Sequence, residues 1–194
     1  MTSSIPLAAG EQFAAQSVTT AGFAVGMALL IVEHWRWYKG GGGAAAAGAA
    51  GGGGKDPKEL IPFWFGVAFG ILMVACPAGL LGTVSDALRW AGNGAGGWVM
   101  STMTGQRATT TVATGAPGLN QYGALVVTAL VLVLFFLRKQ FAKLIKGRWK
   151  KGVLCGVLLC ITTGTAAVIA QATVGGANDL GQYVFDAATN GTFT

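Results

Sequence analysis

Residues 138–151, RKQFAKLIKGRWKK, decide the predicted fold, because they place seven Lys or Arg and no acid between two apolar runs. The run before them, Gly123–Leu137, and the run after them, Val153–Ala170, are each close to the length that crosses a bilayer. Connectors rich in Lys and Arg are typically kept on the cytoplasmic side of a membrane. The pattern therefore predicts a transmembrane hairpin whose turn is cytoplasmic.

The composition of the whole chain agrees with lipid as its solvent. Of its 194 residues 53% are hydrophobic and only 10% are charged, whereas soluble domains carry roughly 25% charged residues. The formal net charge of +6 could indicate a nucleic-acid binder. In a membrane protein the simpler cause is topology, because basic residues mark cytoplasmic loops.

Working outward from the basic loop, we expect an all-α integral membrane protein with four transmembrane helices arranged as two antiparallel hairpins. The predicted segments are an outer N-terminus with the first span (1–39), a Gly/Ala-rich cytoplasmic linker (40–59), the second span (60–82), a Gly/Thr-rich outer loop (83–120), the third span (121–137), the basic cytoplasmic loop (138–151), the fourth span (152–172) and an outer polar tail (173–194). Of the thirteen basic residues, only Arg89 and Arg107 fall in outer segments. This distribution places both termini outside, in a bacterial inner membrane or in a phage or host membrane.

The basic loop is the first predicted contact site. Its members are Arg138, Lys139, Lys143, Lys146, Arg148, Lys150 and Lys151. Each basic side chain near an anionic leaflet contributes on the order of 1 kcal/mol, so we expect this loop to contact anionic lipid headgroups. Nucleic acid is a possible partner that we do not favour, because Trp149 is the loop's only aromatic platform for bases.

Aromatic side chains near the predicted cytoplasmic ends of the spans form a predicted interfacial belt. They are Trp35, Trp37, Tyr38, Trp64 and Trp149. Aromatic rings of this kind favour the headgroup layer. The belt therefore fixes the expected depth of the first two spans.

Pairs of glycine residues four positions apart recur in three spans and predict close helix packing. They are Gly22 with Gly26, Gly66 with Gly70, and Gly152 with Gly156. Contact through these faces is expected either within the chain or between copies. From them we predict a homo-oligomer or a subunit of a larger membrane complex.

The sequence carries no recognisable chemistry, so we expect no enzyme, cofactor or metal site. His34 is the only histidine, and the three cysteines lie in apolar runs without a His/Cys cluster. The stretch AAGGGGKD (49–56) departs from a phosphate-binding loop, because Asp56 stands where a Ser or Thr is needed.

The second predicted hairpin, at about residues 120–173, has two Gly/Ala-bearing apolar helices around a short cationic turn. In this plan it resembles the conjugative (type IV secretion) pilins, and the first hairpin lies outside the resemblance. The resemblance implies a structural subunit of an envelope-spanning, secretion or DNA-transfer assembly, which is the function we expect. Two alternatives stay open: a pore-forming or phage-type protein (a holin or virion membrane protein), and a small-molecule channel or transporter.

Overall fold

A computed structural model describes residues 18–39, 57–76, 79–110, 118–136, 147–160 and 164–190. Of these residues 88% are helical, which confirms the all-α prediction. Their one β-type contact is an isolated bridge between Thr19 and Thr110. The described helices are α1 (Thr20–Tyr38), α2 (Ile61–Ala75), α3 (Gly79–Thr104), α4 (Gln121–Phe136), α5 (Arg148–Leu159) and α6 (Gly164–Asn190), with a 3₁₀ turn at Pro57–Glu59.

Local chemistry explains where α1 and α2 begin and end. Thr19 caps α1, because its Oγ1 accepts a hydrogen bond from the Gly22 N–H at 3.0 Å. The 3₁₀ turn supplies Pro57 and Glu59 ahead of α2, residue types that favour helix starts. Helix α2 ends at Cys76, whose ψ of 114° is extended. A residue before proline avoids the helical region, so Pro77 accounts for that end.

Helices α2 and α5 form the centre of the protein and run parallel. An atom added at the Cβ position of Gly66 would lie 3.1 Å from the Cα of Gly152, and one at Gly70 would lie 3.2 Å from the Cα of Gly156. Helix α1 packs against α5 in the opposite direction, α1 also contacts α3, and α4 packs along α6. Consequently the end of α1, the start of α2 and the start of α5 lie at one end of the bundle.

The three-helix arrangement α1–α3 occurs a second time as α4–α6. In the first unit Thr19, which precedes α1, donates its backbone N–H to Asn93 Oδ1 of α3 at 2.9 Å. In the second unit Asn120, which precedes α4, donates its backbone N–H to Asn178 Oδ1 of α6 at 3.1 Å. The glycine three residues further along lies against the same asparagine in both units.

Burial follows the same register in the two units. The buried positions of α3 are Gly82, Ser85, Gly92 and Gly96, and the positions that align with them in α6 are also buried, namely Ala167, Ala170, Ala177 and Gly181. The glycine pair of α2 aligns with the glycine pair of α5, and each of the four glycines contacts the backbone of the other helix. Contacts that repeat in both directions are those of a pseudo-two-fold axis between α2 and α5.

Several predicted boundaries are corrected by the helices. The predicted outer loop 83–120 is helical up to Thr104, and the predicted tail 173–194 is helical up to Asn190. Tertiary packing overrides the low helix propensity of glycine here, because the small residues let neighbouring helices approach closely. The predicted fourth span, 152–172, is divided between α5 and α6, since α5 ends at Cys160 with ψ of 79°.

Four transmembrane helices are not confirmed. Among the described residues one helical stretch, Pro57–Ala75, is long and apolar enough to cross a bilayer, and just over half of it is buried inside the protein. Length and apolar composition are also met by the core helix of a water-soluble protein. Helix α4 is apolar but has only 16 residues.

Candidate functional site

The strongest concentration of charge in the described residues lies where α1 ends and α5 begins. We call this region the basic end and define it by Glu33, Arg36, Glu59, Arg148 and Lys151. Because α1 and α5 run in opposite directions, the last turns of α1 meet the first turns of α5. The 3₁₀ turn before α2 joins them there.

Glu33 is the centre of the basic end, and its side chain is only 2% exposed. Lys151 Nζ lies 2.7 Å from Glu33 Oε1, which is a direct charge-assisted hydrogen bond. Arg36 Nη1 lies 3.7 Å from the same oxygen, and Arg148 Nε lies 3.9 Å from Oε2. A buried carboxylate must be paired, so these cations make the burial of Glu33 tolerable.

Arg148 extends the network to the segment that precedes α2. Its Nη1 donates to the backbone carbonyl of Glu59 at 2.9 Å and lies 3.3 Å from Glu59 Oε2. The ends of the two loops that we predicted on the cytoplasmic side are thus joined by one ion pair and one hydrogen bond.

Positive charge remains in excess at the basic end. Glu33 and Glu59 face three cations, and the exposed Lys39 and Lys150 lie close by in sequence. Lys39 Nζ sits 4.8 Å from the centre of the Trp35 ring, which is a cation–π contact. A surface of this kind can hold a phosphate or another anion, but it contains no nucleophile with a base beside it.

Three of the seven predicted basic contact residues lie at or beside this end. Arg148 and Lys151 are held in the ion-pair network, and Lys150 is exposed. The other four lie outside the described residues, namely Arg138, Lys139, Lys143 and Lys146. The predicted contact with headgroups therefore stays a prediction for these side chains.

The predicted aromatic residues occupy two different environments. Trp35, Tyr38 and Trp64 are exposed by 57%, 62% and 41%, and Trp37 is half-buried. Trp149 instead turns towards α2, where its ring centre lies 5.7 Å from that of Phe69. Its indole Nε1 is buried without a hydrogen-bond partner, so Trp149 contributes to packing inside the bundle.

His34 is a boundary residue within an aromatic cluster. Its Nδ1 lies 2.8 Å from the Leu30 carbonyl oxygen, and its ring meets Phe63 and Trp64 edge-on. The described residues contain no group of three or more His, Cys, Asp or Glu that could hold a metal ion.

All six predicted packing glycines are buried inside the protein. Gly66 and Gly70 of α2 lie against Gly152 and Gly156 of α5, as described above. Gly22 lies against Asn93, and Gly26 lies against Leu158 and Leu159. These faces are therefore occupied within one chain and are not open to a second copy.

Arg89, which the sequence pattern places in an outer loop, lies at the end of α5. Its Nη2 donates to the carbonyl of Cys160 at 2.9 Å and its Nε to that of Val157 at 3.3 Å. These carbonyls belong to the last turn of α5, where they have no partner within the helix. A cation at a helix C-terminus is also favoured by the helix dipole. Arg89 of the first unit thus stabilises the break between α5 and α6 of the second unit.

Replacing Arg89 with Met is expected to lower the free energy of unfolding by about 1 to 2 kcal/mol, because two carbonyls lose a charged donor. Arg89→Lys should recover only part of this, since one ammonium group does not reproduce the planar fork of the guanidinium. Denaturation of the purified protein in a mild detergent measures both. Equal stability of Arg89→Met and the native protein would contradict the role of Arg89 at this helix end.

An open apolar cavity of about 420 Å³ lies where α2 ends and where α3 and α4 begin. Its lining includes Leu80, Leu81, Ala124 and Val127, with Asn120 and Thr128 as polar members. Thr128 donates its hydroxyl to the Ala124 carbonyl of its own helix. The cavity suits an uncharged apolar group.

Comparison of the chain with known proteins finds no matching family model, no matching curated protein and no matching solved structure.

Proposed function

We propose that this chain is a small integral membrane subunit without enzymatic activity, which serves as a structural component of an envelope-spanning, secretion or DNA-transfer assembly. The observation that carries the proposal is the separation of the basic end from the exposed apolar surface of α4. The densest cluster of charge lies at the basic end, while the exposed sides of α4 consist of uncharged residues, among them Leu125, Leu132, Val133, Phe135 and Phe136.

The amount of exposed apolar surface supports lipid as its environment. Large apolar side chains are exposed on α1, α3, α4 and α6, whereas soluble monomers rarely expose contiguous apolar patches larger than a few hundred Å². In this proposal the four spans are α1, the 3₁₀ turn with α2, α4, and α5 with the first part of α6. Both termini are outside, and the basic end faces the cytoplasm, where its surplus cations contact anionic headgroups.

Assembly in this proposal uses the exposed helix faces. The six predicted packing glycines are engaged within the chain, so a homo-oligomer or a larger complex would form through other surfaces. In the pilin-like plan such copies would place the basic turn along a lumen.

A channel or transporter is the second candidate, and a specific observation favours it. Both units carry an interrupted helix at the corresponding position, after Cys76 and after Cys160. Paired interrupted helices in repeated halves are the usual location of substrate sites in transporters. Against this candidate, the carbonyls at the second interruption are already bound by Arg89.

The experiment that tests the proposed function is purification of the full chain from bacterial membranes, followed by mass determination and imaging in a mild detergent. We expect retention in the membrane after alkaline carbonate washing and a defined multimer. A protein that is water-soluble without detergent, or strictly monomeric in detergent, would contradict the proposal. Rapid loss of membrane potential on expression would favour the pore-forming alternative, and selective solute uptake by reconstituted vesicles would favour the transporter.

A further inference from the structure

Helix α3 has an arrangement of side chains opposite to that of a helix on a water-soluble protein. Its exposed side presents Leu80, Val84, Trp90 and Trp98, which are exposed by 85%, 44%, 70% and 70%. No exposed residue of α3 is charged. Soluble helices bury the apolar face and expose the polar one.

Three polar side chains of α3 lie on its inner side, and Asp86, between two of them in sequence, is half-buried. Ser85 is 2% exposed and donates to the Gly82 carbonyl, Arg89 binds the end of α5, and Asn93 accepts from Thr19. Charged and hydrogen-bonding groups directed into the protein are what a helix in hydrocarbon requires.

The hydroxyl groups on the exposed side of α3 are bonded back to the helix itself. Thr83 donates to the Gly79 carbonyl at 3.0 Å, Thr102 to the Trp98 carbonyl at 2.8 Å, and Thr104 to the Met100 carbonyl at 2.7 Å. Such bonds satisfy a hydroxyl without water, so these residues cost less in an apolar environment than unbonded hydroxyls would.

The equivalent helix of the second unit exposes the same face. Val84 of α3 aligns with Ile169 of α6, and Trp98 aligns with Tyr183, and all four side chains are exposed. Between them, the exposed Ala91 aligns with the exposed Gly176. The match covers the first part of both helices, because α6 exposes Asp179 and Asp186 at the positions that align with Gly94 and Ser101.

We propose that the hydrocarbon of the bilayer covers this face over residues 80–91 of α3 and over the equivalent part of α6 up to Gly176, so that α2–α3 is a broken membrane segment like α5–α6. Trp98 and Tyr183, and the exposed Asp179 and Asp186 of α6, then lie at or beyond the membrane surface. The inference rests on the proposed membrane location. It replaces the first part of the predicted outer loop with a helix that lies in lipid. The apolar cavity beside Leu80 adjoins the same surface, and in this proposal it accommodates the end of an acyl chain.

Lipid rather than a second copy is the occupant, because the apolar exposure does not form one patch. It extends over α1, α3, α4 and α6, whereas a single partner of the same kind would cover one side only. The matching exposure of Val84 and Ile169, and of Ala91 and Gly176, also indicates one environment for this part of both helices.

The test places one nitroxide label at a time in the full chain, reconstituted in vesicles of phosphatidylcholine with phosphatidylglycerol. All labelled variants are made in a parent protein that carries Cys76→Ala. Its remaining cysteines, Cys155 and Cys160, are 0% and 2% exposed. This parent protein must take up no label. Labelled sites are Ala91→Cys on α3 and its equivalent Gly176→Cys on α6. Leu132→Cys on α4 and Arg107→Cys beyond α3 serve as the lipid and water controls.

For each nitroxide label, the collision rate with oxygen, which concentrates in hydrocarbon, is compared with the collision rate with a water-soluble nickel chelate. We expect the oxygen-to-nickel ratio at positions 91 and 176 to match that at 132 and to exceed that at 107. Ratios at 91 and 176 equal to that at 107 would overturn the inference, and so would slow collisions with both reagents, which would show that protein covers the face. If position 132 also behaved like 107, the proposed membrane function would fail as well.

Discussion

Leucine in place of Gly66 is expected to prevent α2 and α5 from packing and to remove most of the folded protein. A Cβ at this position would collide with the Trp149 carbonyl and would lie 3.0 Å from the Val153 nitrogen. Both are backbone atoms, so no side chain can move aside. We expect a loss of about 3 kcal/mol or more, at or beyond the upper range of ordinary overpacking. Thermal unfolding in detergent and size-exclusion profiles measure it.

The repeat predicts a matched result for Gly152→Leu, because a Cβ there would collide with the Phe63 carbonyl and lie 3.1 Å from the Cα of Gly66. The control is Gly94→Ala, since nothing lies within 4 Å of a Cβ at that helical position. Alanine there should leave stability unchanged or raise it by up to about 1 kcal/mol through helix propensity. A Gly66→Leu protein that elutes and melts as the native one does would refute the α2–α5 contact.

Replacing Lys151 with Met is expected to cost about 3 kcal/mol of unfolding free energy, because it leaves the buried Glu33 carboxylate without its nearest cation. The 2.7 Å contact is lost, while Arg36 and Arg148 remain at 3.7 and 3.9 Å. Denaturation in detergent measures the loss. The neighbouring Lys150→Met provides the matched control, because Lys150 is exposed, and its effect should stay within about 0.5 kcal/mol.

A double substitution separates the ion pair from other effects of Lys151. In Glu33→Gln with Lys151→Met the buried charge is gone, so the double variant should be more stable than Lys151→Met alone. Additive losses in the two single variants and the double variant would show that the pair is not coupled. That outcome would show that the ion pair of the basic end does not hold α1 and α5 together.

The helices and their close contacts follow in part from the sequence. Spacing of glycines by four predicted packing faces, and the structure places Gly66 and Gly70 directly against Gly152 and Gly156. The reason is that a pair of small residues on one helix face is useful only for close approach. The sequence did not say which faces meet, because that depends on the three-dimensional arrangement of the helices.

Helix α3 was missed because its pattern is the inverse of the usual one. Small and polar residues such as Gly92, Asn93 and Gly96 suggested a loop, yet they form the packed side of the helix. The available signal was the helical spacing of the buried positions, because Gly82, Ser85, Gly92 and Gly96 follow one another at three, seven and four residues. A search for an apolar inner face does not find a helix whose apolar face is outside.

The internal repeat was missed because the two units are out of register at their beginnings. Along the sequence, equivalent positions in α1 and α4 are separated by more residues than equivalent positions in α2 and α5. The difference is the length of the Gly/Ala linker Gly40–Gly54. Without that linker one offset aligns the first two helices of both units. Asn93 and Asn178 then align to within one residue. Identity at these positions is sparse, and the shared hydrogen bonds make the relation clear.

Two units joined in one chain can differ in sequence at equivalent positions, which two identical subunits cannot. Glu33 of the first unit aligns with Leu134 of the second, and Lys151 of the second unit aligns with Phe65 of the first. The ion pair therefore lies on one side of the pseudo-two-fold axis, and apolar side chains lie on the other. Arg89 likewise has Val174 as its counterpart. Because the two units share one chain and differ in sequence, an ion pair holds one flank while apolar side chains occupy the other, around a single pseudo-two-fold axis.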